Sequence, residues 1–276
     1  VRELMELYKQ TLDYFMGLQV ETEHINDEIH IQQDINAFRS SLVYDCIERA
    51  MDLVEGGSVY SADGGPTAGT ISAGDSLAAL DEIVFNQKLL TMEQVLHAMS
   101  TNYEDMETVP AGPEIRAILL NKAPKFGNDD ERADKWVVEL EDYIGSSYRY
   151  KYRSSKYGKG PVPCCYSYSQ SPVTGNIAFG KSIGATPDGR KAGQPVNNGI
   201  SPANGSEKKG ATAACNSVMK LPSIWFQKGA IFNMRLSKGA LDTDENKEKV
   251  IAMIKVLFEN YGQQIQFNVV DNKVFK

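Results

Sequence analysis

Cys164 and Cys165 stand side by side, a pair of thiols of a type that can react. A thiol becomes a nucleophile when a base or a helix N-terminus depresses its pKa. The pair sits in Pro161-Val162-Pro163-Cys164-Cys165-Tyr166-Ser167-Tyr168, which reads as a strand, and the reading preferred is two small, partly buried cysteines. Adjacent cysteines close a disulfide only through a strained ring. Cys46 and Cys215 fall on apolar stripes and read as core. His24, His30 and His97 are scattered, and no Cys-x-x-Cys or His-x-x-x-His occurs, so no metal site is expected. Without Gly-x-Ser-x-Gly, a serine hydrolase is not indicated. The glycine-rich stretch 56–74 lacks the Gly-Lys-Ser/Thr ending and the preceding strand of a phosphate-cradling loop.

Binding chemistry is better represented. Tyrosine and serine alternate over 166–169, with Gln170 and Ser171 following, so on a strand Tyr166 and Tyr168 share one face and Ser167, Ser169 and Ser171 the other. The glycines of the 64–70 loop permit sharp turns and close backbone approach. We expect loop and strand to converge on one small-molecule pocket, with Asp63, Thr67, Tyr166, Tyr168 and Ser169 as its substrate-binding residues. A shift of one residue in register exchanges tyrosines for serines, so the inward face stays open. A tyrosine pair between sheet and helix is the competing reading.

These residues need elements to hold them. Met5, Tyr8, Leu12 and Phe15 recur at helical spacing, and Val1 reads as mid-helix. Ile35, Phe38, Leu42, Cys46, Ala50 and Leu53 predict a second helix, stopped at Gly56-Gly57. Shorter helices are expected over 76–86, 92–102, 113–123 and 131–155, with Thr91 and Gln94 forming a capping box. Asp75 or Ser76 is expected to cap the first of these, and Asn128 or Asp129 the last. Residues 162–169, 177–180, 230–236 and 264–270 read as strands, and Asp242 with Glu245 as the cap of a helix carrying Val250, Met253, Ile254, Leu257 and Tyr261. Residues 1–160 are thus mainly helical and 161–276 mix strands with helices, an α/β chain with no linker that would split it.

Composition narrows the class. A net charge of −7 argues against nucleic acid or an anionic membrane as partner. No apolar run approaches the ~20 residues that span a bilayer. Four cysteines do not form a disulfide framework, and a reducing cytoplasm is the natural setting.

The run Gly184-Ala185-Thr186-Pro187-Asp188-Gly189-Arg190-Lys191-Ala192-Gly193 continues through Pro195-Val196-Asn197-Asn198-Gly199-Ile200-Ser201-Pro202 and Cys215-Asn216-Ser217-Val218-Met219-Lys220-Leu221-Pro222. Within it, Pro187-Asp188-Gly189 is a turn with a mechanism, since proline presets φ and glycine accepts positive φ. Together these blocks resemble the glycyl radical enzymes, the family of pyruvate formate-lyase and the radical diol dehydratases. Residues 73–80 and 124–134 are similar to the same family. Residues 232–236 and 266–271 are closer to its lyase and dehydratase branch. At 60–66 this chain has Tyr-Ser-Ala-Asp-Gly-Gly-Pro where the dehydratases carry Tyr-Asn-Phe-Ser-Gly-Pro-Gln, which implies a different pocket.

The resemblance implies the C-terminal part of a ten-stranded α/β barrel with helices outside. It implies radical cleavage of a C–C, C–O, C–N or C–S bond in a small metabolite under anaerobic conditions. The catalytic Gly-Cys-x-Glu loop and the Arg-Val-x-Gly-Tyr radical loop are expected outside this chain. The chain then has no catalytic residue, binds no cofactor and is inactive alone. The full-length enzyme is expected to carry a glycyl radical installed by an S-adenosylmethionine-dependent radical activating enzyme, and to be a cytoplasmic homodimer. The alternatives are a formate C-acetyltransferase, which is a transferase, and a catalytically dead barrel serving as a scaffold or binding module.

Overall fold

In a computed structural model, the described residues are 1–59, 64–65, 67–152, 167–170 and 174–270. They form two compact units, each discontinuous in sequence. One comprises Arg2–Gly65 and Tyr143–Tyr168; the other comprises Pro66–Asp142 and Ser169–Lys276, with Val1.

The first unit is built on helix α1 (Arg2–Gln33). Its buried line is Met5, Met16 and Val20, and Phe15 is exposed. Sixteen follows five by eleven residues, close to three whole turns, whereas ten residues fall about 80° short. The expected second helix is broken into α2 (Ala37–Ser41), α3 (Cys46–Arg49) and a single 3-10 turn (Leu53–Glu55). Asp52 explains the break. Its carboxylate accepts the Ser40 hydroxyl at 2.7 Å and the Asn36 amide at 2.9 Å, so the chain must fold back on itself. Ile35, Phe38 and Leu42 are left exposed. Gly56 ends the last turn at φ 85, as its type predicts. Asp13 of α1 accepts Tyr143 Oη at 2.8 Å and Lys151 Nζ at 2.8 Å, and Tyr148 Oη donates to Gln19 at 2.7 Å. Tyr168 is fully buried and stacks on Tyr148, with ring centroids 5.9 Å apart.

The second unit begins with α4 (Thr70–Ala79), which continues as a π-helical stretch (Leu80–Asn86). Helices α5 (Met92–Ser100) and α6 (Gly112–Asn121) follow, and Leu80, Ile83, Val95, Tyr103, Ile115 and Leu119 share one apolar core. Thr91 and Gln94 form the expected reciprocal cap of α5. Asp75 does not cap α4: it lies inside the helix with no exposed surface. Helix α7 (Glu131–Tyr150) is capped by Asp130, whose Oδ1 accepts the Arg132 amide at 3.1 Å. Asn128 instead braces a neighbouring loop, accepting the Lys208 and Lys209 amides at 2.7 and 3.1 Å. Gly74 lets α4 approach α7, since a Cβ there would stand 2.4 Å from Val137 Cγ2.

Residues 177–180 are not a strand. They belong to α8 (Gly175–Ser182). A four-residue apolar run cannot be assigned by periodicity, and flanking residues extended it into a helix. After α9 (Ala211–Met219), strands β1 (Ile231–Ser237) and β2 (Gln264–Val270) pair in parallel, from Ile231↔Gln264 to Ser237↔Val270. Helix α10 (Asp244–Glu259) joins them, capped by Thr243 and not by Asp242. Thr243 Oγ1 accepts the Asn246 amide at 3.2 Å. Of its expected stripe only Leu257 is buried, and Tyr261 is exposed beyond the helix end. Ala230 extends the sheet by a parallel bridge to Gln170.

Candidate functional site

The Thr186–Arg190 turn is the organising feature of the second unit. The Gly189 amide donates to Thr186 O and the Thr186 amide to Arg190 O, both at 3.0 Å, and Gly189 takes φ 92. The Thr186 hydroxyl donates to Asp188 Oδ1 at 2.6 Å. Arg190 is buried, and its guanidinium is spent on its own loop. It donates to Thr186 Oγ1 and to the carbonyls of Lys191, Gln194, Ile183 and Gly184. Burial holds Arg190 below its ordinary pKa.

Two further cations reach this turn from helix α6 and the loop after it. Arg116 Nε donates to Gly189 O at 2.9 Å, and Lys125 Nζ donates to Asp188 O at 2.7 Å. Asp75 accepts the Phe126 amide at 2.7 Å through Oδ1, and its buried Oδ2 has no hydrogen-bond partner among the described residues. Burial pushes its carboxyl up to about 7, against the opposing pull of Lys125 and the Phe126 amide. One turn before Asp75, the Ser72 amide donates to Asn197 Oδ1 at 3.1 Å, and the Asn197 amide donates back to Ser72 Oγ at 3.1 Å.

These groups line a cleft of about 960 Å³. Its far wall is one face of the sheet. Phe232, Met234 and Leu236 are buried on the opposite side of β1, so Asn233 and Arg235 face the cleft. Their register partners Gln266 and Asn268 line it too. The result is an open cleft lined by many hydrogen-bonding groups, suited to a small molecule that can bond to them. Among the described residues no group of three His, Cys, Asp or Glu could hold a metal ion, and no helix is long and apolar enough to cross a membrane.

Of the residues singled out in the sequence, Asp63, Tyr166, Cys164 and Cys165 lie outside the described residues. Thr67 and Ser169 are brought together: the Thr67 amide donates to Ser169 O at 2.9 Å. In the other unit Gly64 presses on Ser167, where a Cβ would stand 1.9 Å from the carbonyl oxygen. Residues Ser167, Tyr168, Ser169 and Gln170 are all buried, so alternation does not separate an inward from an outward face. Neither Thr67, Tyr168 nor Ser169 lines the cleft. The cleft residues Asp75, Arg116, Lys125 and Asn197 were not singled out for function. Their signal was present in part, because Asp75, Lys125 and Asn197 fall within the blocks 73–80, 124–134 and 195–202.

A family model described as pyruvate formate lyase-like matches residues 1–179, and one described as glycine radical matches residues 196–276. The chain belongs to the glycyl radical enzyme family. Both matched regions build the cleft, Ser72, Arg116 and Lys125 coming from the first and Asn197, Asn233 and Arg235 from the second. The chain is 33% identical over 273 residues to the probable dehydratase YbiW of Escherichia coli (strain K12), covering 98% of this chain and 33% of that protein. It is 32% identical over 276 residues to trans-4-hydroxy-L-proline dehydratase of Clostridioides difficile, covering 99% and 33%. A solved structure concerned with 1,2-propanediol dehydration in Roseburia inulinivorans matches with a TM-score of 0.90 at 33% identity, over 99% of this chain and 34% of that one. This glycyl radical family chain therefore spans about a third of the length of the curated relatives it matches.

Proposed function

We propose that this chain forms part of a glycyl radical enzyme of the lyase and dehydratase branch, cleaving a C–C, C–O, C–N or C–S bond of a small metabolite. The observation that carries this reading is the match, over 99% of the chain, to the Roseburia inulinivorans structure. The proposed role is a wall of a ten-stranded α/β barrel. The wall's tasks are to hold the substrate and exclude water. Apart from the cleft, substrate contact is proposed for Thr67 and Ser169, whose backbones are bonded to each other. Thr67→Val in the whole enzyme should raise KM more than it lowers kcat.

The family's radical does not fit the residues present. Neither Gly-Cys-x-Glu nor Arg-Val-x-Gly-Tyr occurs in the sequence. Cys46 and Cys215 are buried, and burial pushes the Cys215 thiol up to about 11. Neither of these cysteines is proposed to react, and the chain alone is proposed to be inactive. The whole enzyme is proposed to be a cytoplasmic homodimer that receives its radical from an S-adenosylmethionine-dependent activating enzyme. The test is the coding DNA on both sides of this chain. A Gly-Cys-x-Glu codon run upstream and Arg-Val-x-Gly-Tyr downstream support the enzyme. A reading frame lacking both would favour a dead barrel.

A further inference from the structure

We propose that the Asp188–Gly189 turn in the cleft is a binding site for a small oxyanion, held between Lys125 and Arg116. The two cations are tied to one turn by bonds to consecutive carbonyls, Lys125 Nζ to Asp188 O at 2.7 Å and Arg116 Nε to Gly189 O at 2.9 Å. Both line the cleft. Lys125 is only 8% exposed, yet no carboxylate lies within ion-pair distance of it among the described residues. One of its three donors is used, and the terminal nitrogens of Arg116 have no acceptor among the described residues. Buried charge is costly unless paired, so this turn lacks an acceptor that carries charge and several lone pairs.

The nearby acids do not supply it. Asp188 Oδ1 faces its own loop, accepting the Thr186 hydroxyl and the Arg190 amide at 2.6 and 3.3 Å, and Glu207 pairs with Arg235 at 3.7 Å. Asp75 is pushed up to about 7 by burial, so near neutral pH it carries only part of a charge. Arg190 is consumed by its loop and adds a further positive charge. The local balance is positive. A carboxylate, sulfonate or phosphate offers two or more oxygens to an ammonium and a guanidinium at once, in charge-assisted bonds. A neutral hydroxyl would leave the charge unmatched. The inference rests on the cleft alone and holds whether or not the radical reading does.

The experiment is titration of the ¹⁵N-labelled 276-residue chain with acetate, methanesulfonate and inorganic phosphate in turn, chloride keeping the ionic strength constant. Saturable shifts of the Lys125, Asp188 and Gly189 amides are expected, and the order of affinity among the probes identifies the oxyanion class. Lys125→Gln removes the charge while keeping a polar side chain, and should weaken binding at least about tenfold. Arg116→Gln should weaken it similarly, and decides the matter with the wild-type shift map if the Lys125 variant does not fold. The proposal is overturned by no saturable shift, by shifts spread over exposed lysines, or by unchanged affinity in a folded variant.

Discussion

Asp75 Oδ1 accepts the Phe126 amide hydrogen at 2.7 Å, joining the interior of α4 to the loop before α7 across 51 residues of sequence. The partnerless Oδ2 makes this contact dependent on pH. Burial raises the folded-state pKa from 3.8 to about 7. In that window the folded chain keeps a proton that the unfolded chain releases, so stability falls as pH rises through it. Asp75→Asn keeps the acceptor for Phe126 and removes the titration. Relative to wild type, it should gain stability between about pH 4 and pH 7, by about 2–4 kcal/mol in all, then run parallel. Urea midpoints of both proteins across that range check this; parallel profiles throughout would contradict it.

Arg190 ties five acceptors of one loop, and a lysine has neither the fork nor the number of donors to replace it. Arg190→Lys should cost roughly 1–2 kcal/mol, because the buried cation loses most of its hydrogen bonds and the part-buried loop carbonyls lose their donor. Chemical denaturation reads this directly. A change within the error of the midpoint would show that the loop is held by other means.

Gly199 sits at φ 58 with its α-carbon against the sheet, where a Cβ would stand 2.3 Å from Ile231 O and 3.0 Å from Gln170 O. Both obstacles are backbone, and the next amide, Ile200, bonds to that same Ile231 oxygen at 3.0 Å. Gly199→Ala should destabilise by at least about 2 kcal/mol, through left-handed strain and displacement of β1 together. Gly184→Ala, with nothing within 4 Å of the new atom, should be tolerated. Equal effects of the two would refute the packing argument.

Much of the fold was legible where local chemistry and tertiary demand agree. The Thr91–Gln94 cap, the Gly56 stop, the Pro187-Asp188-Gly189 turn and both paired strands formed as their residues imply. Reading failed where a distant contact decided the outcome. Asp75 looks like a cap until Phe126, far along the chain, claims its carboxylate. Residues 37–55 carry a helical stripe, but the Asp52 bonds to Ser40 and Asn36 fold it into short pieces. The cleft was the least legible feature. Arg116 and Lys125 are ordinary surface residue types in sequence, and only the folded turn places its Asp188 and Gly189 carbonyls between them.

The central claim is that this chain is the wall of a radical enzyme whose reacting residues lie outside it. Electron paramagnetic resonance tests it most directly, on the 276-residue chain and on the proposed full-length protein, each treated anaerobically with the activating enzyme. The account predicts an organic radical that tracks turnover in the longer protein, and neither radical nor turnover in the chain alone. A radical or turnover from the isolated chain, or a longer protein that never acquires the radical, would contradict it.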